Sequence, residues 1–143
     1  MASSRKLENL AKIGQLKAEP PAPSEIDGLV ASGRKRFNDA KNPAITLDSR
    51  FDLAYAAAHA FSLAALRWHG YRSQNRYLVF QLLPHTLGVT DRQWRLLALC
   101  HERRNKIEYE GTSEVDDGLV AELVQVTEEV LRRVEALGPV KGS

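Results

Sequence analysis

A single cysteine, Cys100, is all the sequence contains. A lone thiol builds neither an intrachain disulfide framework nor a multi-cysteine zinc site, and among leucines it reads as a small core residue. Long apolar runs are missing too, since Arg, His and Asp interrupt each one before it reaches membrane-spanning length. The opening MASSRKLENLAKIG has no continuous hydrophobic segment and no small-residue cleavage site. No secretory signal is therefore expected, and the cytoplasm is the expected compartment. There is no alternating strand pattern bounded by turns and no internal repeat. Nucleotide-binding glycine loops, zinc-protease helices, calcium loops and the Gly-x-Ser-x-Gly elbow are also lacking. The four histidines, His59, His69, His85 and His101, stand at unrelated spacings, so neither a metal nor another cofactor is expected.

What remains is an ordinary soluble composition. With 143 residues, 43% apolar and 27% charged, the chain suits one domain with a single core. The net charge of +2 is unevenly placed. Residues 50–111 carry nine basic against five acidic side chains, eight of the nine being arginine, whereas residues 112–143 carry three against seven. Guanidinium forks match phosphate and carboxylate groups at two points, so an arginine-weighted middle suits anion binding. The alternative is that the acidic last helix packs beside the basic middle.

Hydrophobic spacing predicts an all-α bundle of five or six helices. Residues 1–19 are expected to form a short amphipathic helix and a Pro-rich linker, residues 24–138 the bundle, and residues 139–143 a tail. Leu7, Leu10, Ala11 and Gly14 give the first helix one apolar face, with Ser3 or Ser4 as its cap. The linker KAEPPAP is stiff and extended, a joint that lets that helix dock elsewhere, including on a second copy of the chain. Ser24 and Asp27 resemble a capping box opening a helix to about Ala40, in which Gly28 and Gly33 permit close approach of a neighbour. Asp48 or Ser49 caps a long helix to about His69, with Tyr55, His59 and Ser62 on one face. A shorter helix spans Asn75 to Leu87, bent or stopped at Pro84. The last helix starts at Thr112 or Ser113 and ends at Gly138–Pro139.

The chain is expected to be organised around Gln93 to Gly111, QWRLLALCHERRNKIEYEG. Thr90 or Asp91 starts this helix and Gly111 stops it. The apolar stripe Trp94, Leu97, Ala98 continues by threes and fours into His101, Arg104, Asn105 and Glu108, with Tyr109 a turn beyond Asn105. A stripe that turns polar on its own face sets charged groups at the edge of the core, where burial is costly unless they are paired. Two readings are open: an internal Arg104–Glu108 brace, or a functional cluster.

Two stretches, RFDLAYAAAHAFSLAALRWHGYR (Arg50 to Arg72) and ERRNKIEYEG (Glu102 to Gly111), resemble the small bacterial HEPN-domain proteins. The resemblance extends to helix order from about Ile26 to Leu137, and it implies a helical homodimer. Many HEPN proteins are metal-independent ribonucleases of toxin–antitoxin, phage-defence or RNA-processing systems. Their signature is an arginine, often followed by Asn, with a histidine after four to six further residues, and two such motifs meet across the dimer. Arg104 matches the arginine and Asn105 the residue after it. The histidine has no counterpart, because Tyr109, Glu110 and Gly111 hold its place.

The resemblance thus implies RNA or nucleotide binding in an arginine-lined cleft. Arg104 would stabilise phosphorane charge, Asn105 would orient a phosphate oxygen, and Tyr109 would donate a proton. Two readings are open for His101, one turn before Arg104: a capped or core histidine, or a replacement for the missing histidine as base. Arg103, Glu108, Tyr55 and His59 complete the candidate binding set. The competing reading is a non-catalytic module that pairs with a partner such as a nucleotidyltransferase antitoxin, with Tyr109 as the residue modified. No membrane partner is expected.

Overall fold

The computed structural model describes residues 2–111 and 115–140, with side chains from Arg5 onward. Among them are seven helices and one two-stranded ladder: α1 (Ala2–Lys12), β1 (Lys17–Ala18), α2 (Pro23–Ala40), α3 (Leu47–Trp68), β2 (Tyr71–Arg72), α4 (Arg76–Gln81), α5 (Leu83–Thr86), α6 (Asp91–Glu110) and α7 (Asp117–Glu135). The all-α expectation holds. No helix of the described residues is long and apolar enough to cross a membrane.

The centre of the bundle is α3, not the stretch ending at Gly111. Twelve of its 22 residues are buried, whereas α6 buries only Leu97, Ala98 and Cys100. Composition explains the difference. Ala54, Ala57, Ala58, Ala60, Ala64 and Ala65 give α3 a thin profile on several sides, so neighbours close around it, with Phe51 and Phe61 filling the gaps. Helices α2 and α7 pack along it, and α4 and α6 cover its remaining face. One approach is especially tight: a Cβ added at Gly33 on α2 would come within 2.5 Å of the Phe61 ring. Gly28 meets nothing within 4 Å and serves no such contact. The acidic α7 also reaches α2, where Arg34 pairs with Glu135.

Local signals set several boundaries. Thr90 and Gln93 form a reciprocal capping box at the start of α6, and Gly111 ends it at φ 69° with its N–H on Ile107 O. Asn75 accepts from Leu78 N at the start of α4. The Ser24–Asp27 box does not form; Pro23 opens α2 behind Ala22, which makes no side-chain cap. Helix α3 begins at Leu47 behind Thr46, slightly before the expected Asp48 or Ser49. The single helix expected from Asn75 to Leu87 is two, divided at Leu82. Asp116, accepting from Leu119 N, caps α7; the expected starts Thr112 and Ser113 lie outside the described residues, as do the side chains of Ser3 and Ser4.

The N-terminal arm does not swing free. Leu7 and Leu16 are buried with Leu66, Val79 and Leu82 in a second apolar cluster, and such burials are worth ~1.5–3 kcal/mol each. The extended segment pairs antiparallel with β2, Lys17 opposite Arg72 and Ala18 opposite Tyr71. Arg67, 1% exposed, fixes the chain between β1 and α2. It donates to Glu25 Oε1 at 2.7 Å, to the Pro20 carbonyl at 2.8 Å and to the Glu19 carbonyl at 3.0 Å. Arg72 holds Glu19 from the other side at 2.8 Å. A buried guanidinium is stable only when its donors are met, and here carboxylates and chain carbonyls meet them.

Candidate anion-binding site

Helices α3, α4 and α6 bring one polar group together at the edge of the core. Tyr55, fully buried on α3, sets its hydroxyl 2.7 Å from His101 Nδ1 on α6, and the two rings stack at 6.2 Å. His101 Nε2 lies 3.3 Å from the Asn105 amide nitrogen, one turn on. With that amide donating to Nε2, the neutral ring carries its proton on Nδ1 and donates to Tyr55 Oη. Both imidazole nitrogens are therefore engaged.

Two guanidinium groups face the same tyrosine. Arg104 stands 5.2 Å from the Tyr55 ring centroid and Arg76, the first residue of α4, 5.8 Å. Cations at such distances are drawn to the ring by its quadrupole, an attraction of ~0.5–2 kcal/mol. They also repel protons nearby. Burial, then Arg76 and Arg104, hold His101 below its ordinary value of 6.5. Burial is again the main cause for His59, with Arg76, His101 and Arg104 adding to it, and its pKa falls to about 4. His59 packs edge-on against Phe80 at 6.1 Å. Both imidazoles are neutral at pH 7, and the cations of the cluster are the Arg76 and Arg104 guanidinium groups.

The counter-charge is weak. Arg104 reaches Glu108 at only 3.4 Å, with side-chain exposures of 36% and 61%. An exposed pair of this spacing is worth about 0.3–0.5 kcal/mol, and Arg before Glu is the less favourable order along a helix. Asp52, near Arg104 on α3, is a second carboxylate beside that guanidinium. Burial outweighs the attraction of Arg104, and with help from Asp48 and Glu108 it raises the Asp52 carboxyl above its ordinary value.

Of the residues singled out in the sequence, Tyr55, His59, His101, Arg104 and Asn105 come together, with Glu108 on Arg104. Arg103 does not join them; it lines a surface recess with Leu96, Asp116 and Leu119 on the α7 side. Tyr109 is 85% exposed and touches none of the cluster. Sequence reasoning missed Arg76 and Asp52. The signal for Arg76 was a basic residue directly behind the Asn75 cap, where a helix start favours acidic side chains. Two open cavities, of about 550 and 470 Å³, lie elsewhere, between α6 and α7 and beside Trp68. Neither gathers a comparable set of charged and hydrogen-bonded groups. Among the described residues no three His, Cys, Asp or Glu side chains are grouped as metal ligands.

Comparison of the chain with family models, with curated proteins and with solved structures finds no match.

Proposed function

We propose that this chain is a HEPN-like helical protein, of the kind that serves bacterial defence or toxin–antitoxin systems. In this reading it binds RNA through the Arg104 face of α6. The observation that carries the reading is the pair of guanidinium groups over the Tyr55 ring: Arg76, with no carboxylate paired to it among the described residues, and Arg104, held only by a loose, exposed pair with Glu108. Such a cluster is stabilised by an incoming phosphate, whose oxygens give the guanidinium donors a two-point partner.

The same geometry favours binding over cleavage. Attack by a 2′-hydroxyl needs a base with a free lone pair and a pKa near the working pH. His101 has both nitrogens occupied and a lowered pKa, and His59 is shifted further still. His101 orients Asn105 and Tyr55 rather than serving as the base. The test is incubation with single-stranded RNA in EDTA, followed by separation of bound and cut species. Bound, uncut RNA is expected. Metal-free cleavage to cyclic-phosphate ends, abolished by His101→Ala, would overturn the non-catalytic part and make His101 the base.

Tyr109 favours a second reading. Its exposed side chain, at the open end of α6, has no partner among the described residues and is accessible to a modifying enzyme. In this reading the chain is an interaction module and Tyr109 the acceptor of a nucleotidyl group from a nucleotidyltransferase partner. Intact-mass measurement after co-expression with that partner, with Tyr109→Phe as control, decides it.

A further inference from the structure

Helix α4 has only six residues, too few to persist alone in water. It packs mainly on α6, where Tyr77 meets Trp94 edge-on at 6.2 Å, and is held from two further sides. On one, Val79, with Leu82 just past the helix, packs against Leu7 and Leu16 of the N-terminal arm. On the other, Phe80 meets the Tyr55 ring edge-on at 5.9 Å. The arm and the polar cluster thus bear on neighbouring faces of one short helix, and that helix carries Arg76.

Local structure does not account for Arg76. A cation in the first turn of a helix opposes the helix dipole. Among the described residues no carboxylate pairs with it, and a second guanidinium, Arg104, faces the same ring. Its contact is the Tyr55 ring. Placing a second cation there raises the cost of the cluster, and an anionic ligand offsets that cost.

We propose that Arg76 is a second phosphate-binding residue of the RNA surface, and that the docked N-terminal arm sets the affinity of that surface by holding α4 in place. The inference rests on the RNA-binding reading above. With the arm docked, Arg76 and Arg104 flank one ring and present two adjacent cations to the backbone of a strand. With the arm released, α4 loses the cover over Val79 and Leu82, and only its packing on α3 and α6 holds Arg76 against Tyr55.

The experiment is fluorescence-anisotropy titration of a short, mixed-sequence single-stranded RNA over a range of salt concentrations, alongside amide hydrogen exchange. For Arg76→Gln the expected result is ~10-fold weaker binding and a log–log salt slope shallower by about 0.7, one phosphate contact on a single strand. Arg76→Lys should keep the slope. Leu7→Asp, or the milder Leu7→Ala if the first does not fold, should expose α4 amides to exchange while α3 stays protected, and should flatten the slope as Arg76→Gln does. An unchanged slope in Arg76→Gln would overturn the assignment of Arg76 alone. Exposed α4 amides with undiminished RNA affinity would overturn the role of the arm. Absence of salt-dependent RNA binding by the unmodified chain would overturn the RNA reading itself, and this inference with it.

Discussion

Tyr55 Oη and His101 Nδ1 lie 2.7 Å apart across the α3–α6 contact, the one from a fully buried side chain and the other from a half-buried imidazole. Removing the hydroxyl leaves the His101 ring short of a partner. Tyr55→Phe should therefore cost about 1–3 kcal/mol in denaturant unfolding, although the ring and its packing on Phe80 survive. The His101 ring resonances should also broaden or split in NMR as its orientation loosens. A stability unchanged within about 0.5 kcal/mol would mean that this hydrogen bond does not organise the site.

The two arginines act on His101 as well as on a ligand. Because Arg104 contributes to the lowered pKa of His101, Arg104→Ala should move that pKa up toward 6.5, measured by NMR titration of the imidazole. The sign is fixed by Coulomb repulsion between guanidinium and imidazolium. A fall, or no change, would place Arg104 away from His101 in solution.

Acid should loosen the protein in two stages. The first comes from His59, whose folded-state pKa of about 4 lies below its ordinary 6.5. The unfolded chain then binds the proton first, so stability declines as pH falls from 6.5 toward 4. The second comes from Glu19 and Glu25. Hydrogen bonding to Arg72 is the largest cause for Glu19 and to Arg67 for Glu25, and both carboxyls sit below 4.5. Their contribution is complete above that value and is lost as pH falls through the lower folded-state pKa values. Thermal melts from pH 7 to pH 3 should show both stages. In Arg67→Met the second should shrink, chiefly through Glu25, while Arg72 still holds Glu19, and the Glu19 amide, bonded to Gly70 O at 2.9 Å, should lose exchange protection.

Two glycines of α2 should respond in opposite directions to alanine. Gly28 is exposed with open space around its Cα, so Gly28→Ala should stabilise by roughly 0.5–1 kcal/mol through helix propensity alone. Gly33→Ala would drive a methyl group into Phe61, a buried ring with little room to retreat, and should destabilise by about 1–3 kcal/mol. Urea midpoints of the two variants check both signs.

How far the sequence carried the account varies along the chain. The start of α6 at Thr90 or Asp91 and its stop at Gly111 are local chemistry, written within one turn, and both were legible, although the reciprocal box with Gln93 was not. So was the polar end of the α6 stripe, because Arg104, Asn105 and His101 share a helical face with Leu97. The central place of α3 was not, since alanine marks close packing but not how many neighbours take part in it. The locked arm was also hidden. Arg67 meets Glu25 and Glu19 across 42 and 48 residues of chain, and nothing local distinguishes Arg67 from a solvated arginine at a helix end. Arg76 entered the site only because α4 folds back over Tyr55.

The most direct test of the central claim is one comparison of Arg104→Ala and Glu108→Ala, each assayed for RNA affinity and for unfolding free energy. If Arg104 faces a phosphate, its loss should weaken RNA binding by ~10-fold or more. The Glu108 brace that goes with it accounts for only about 0.5 kcal/mol of stability, and Glu108→Ala should leave binding intact or tighten it. Equal and substantial stability losses in both variants, with RNA binding unaffected by either, would contradict the account and reduce Arg104 to a structural brace.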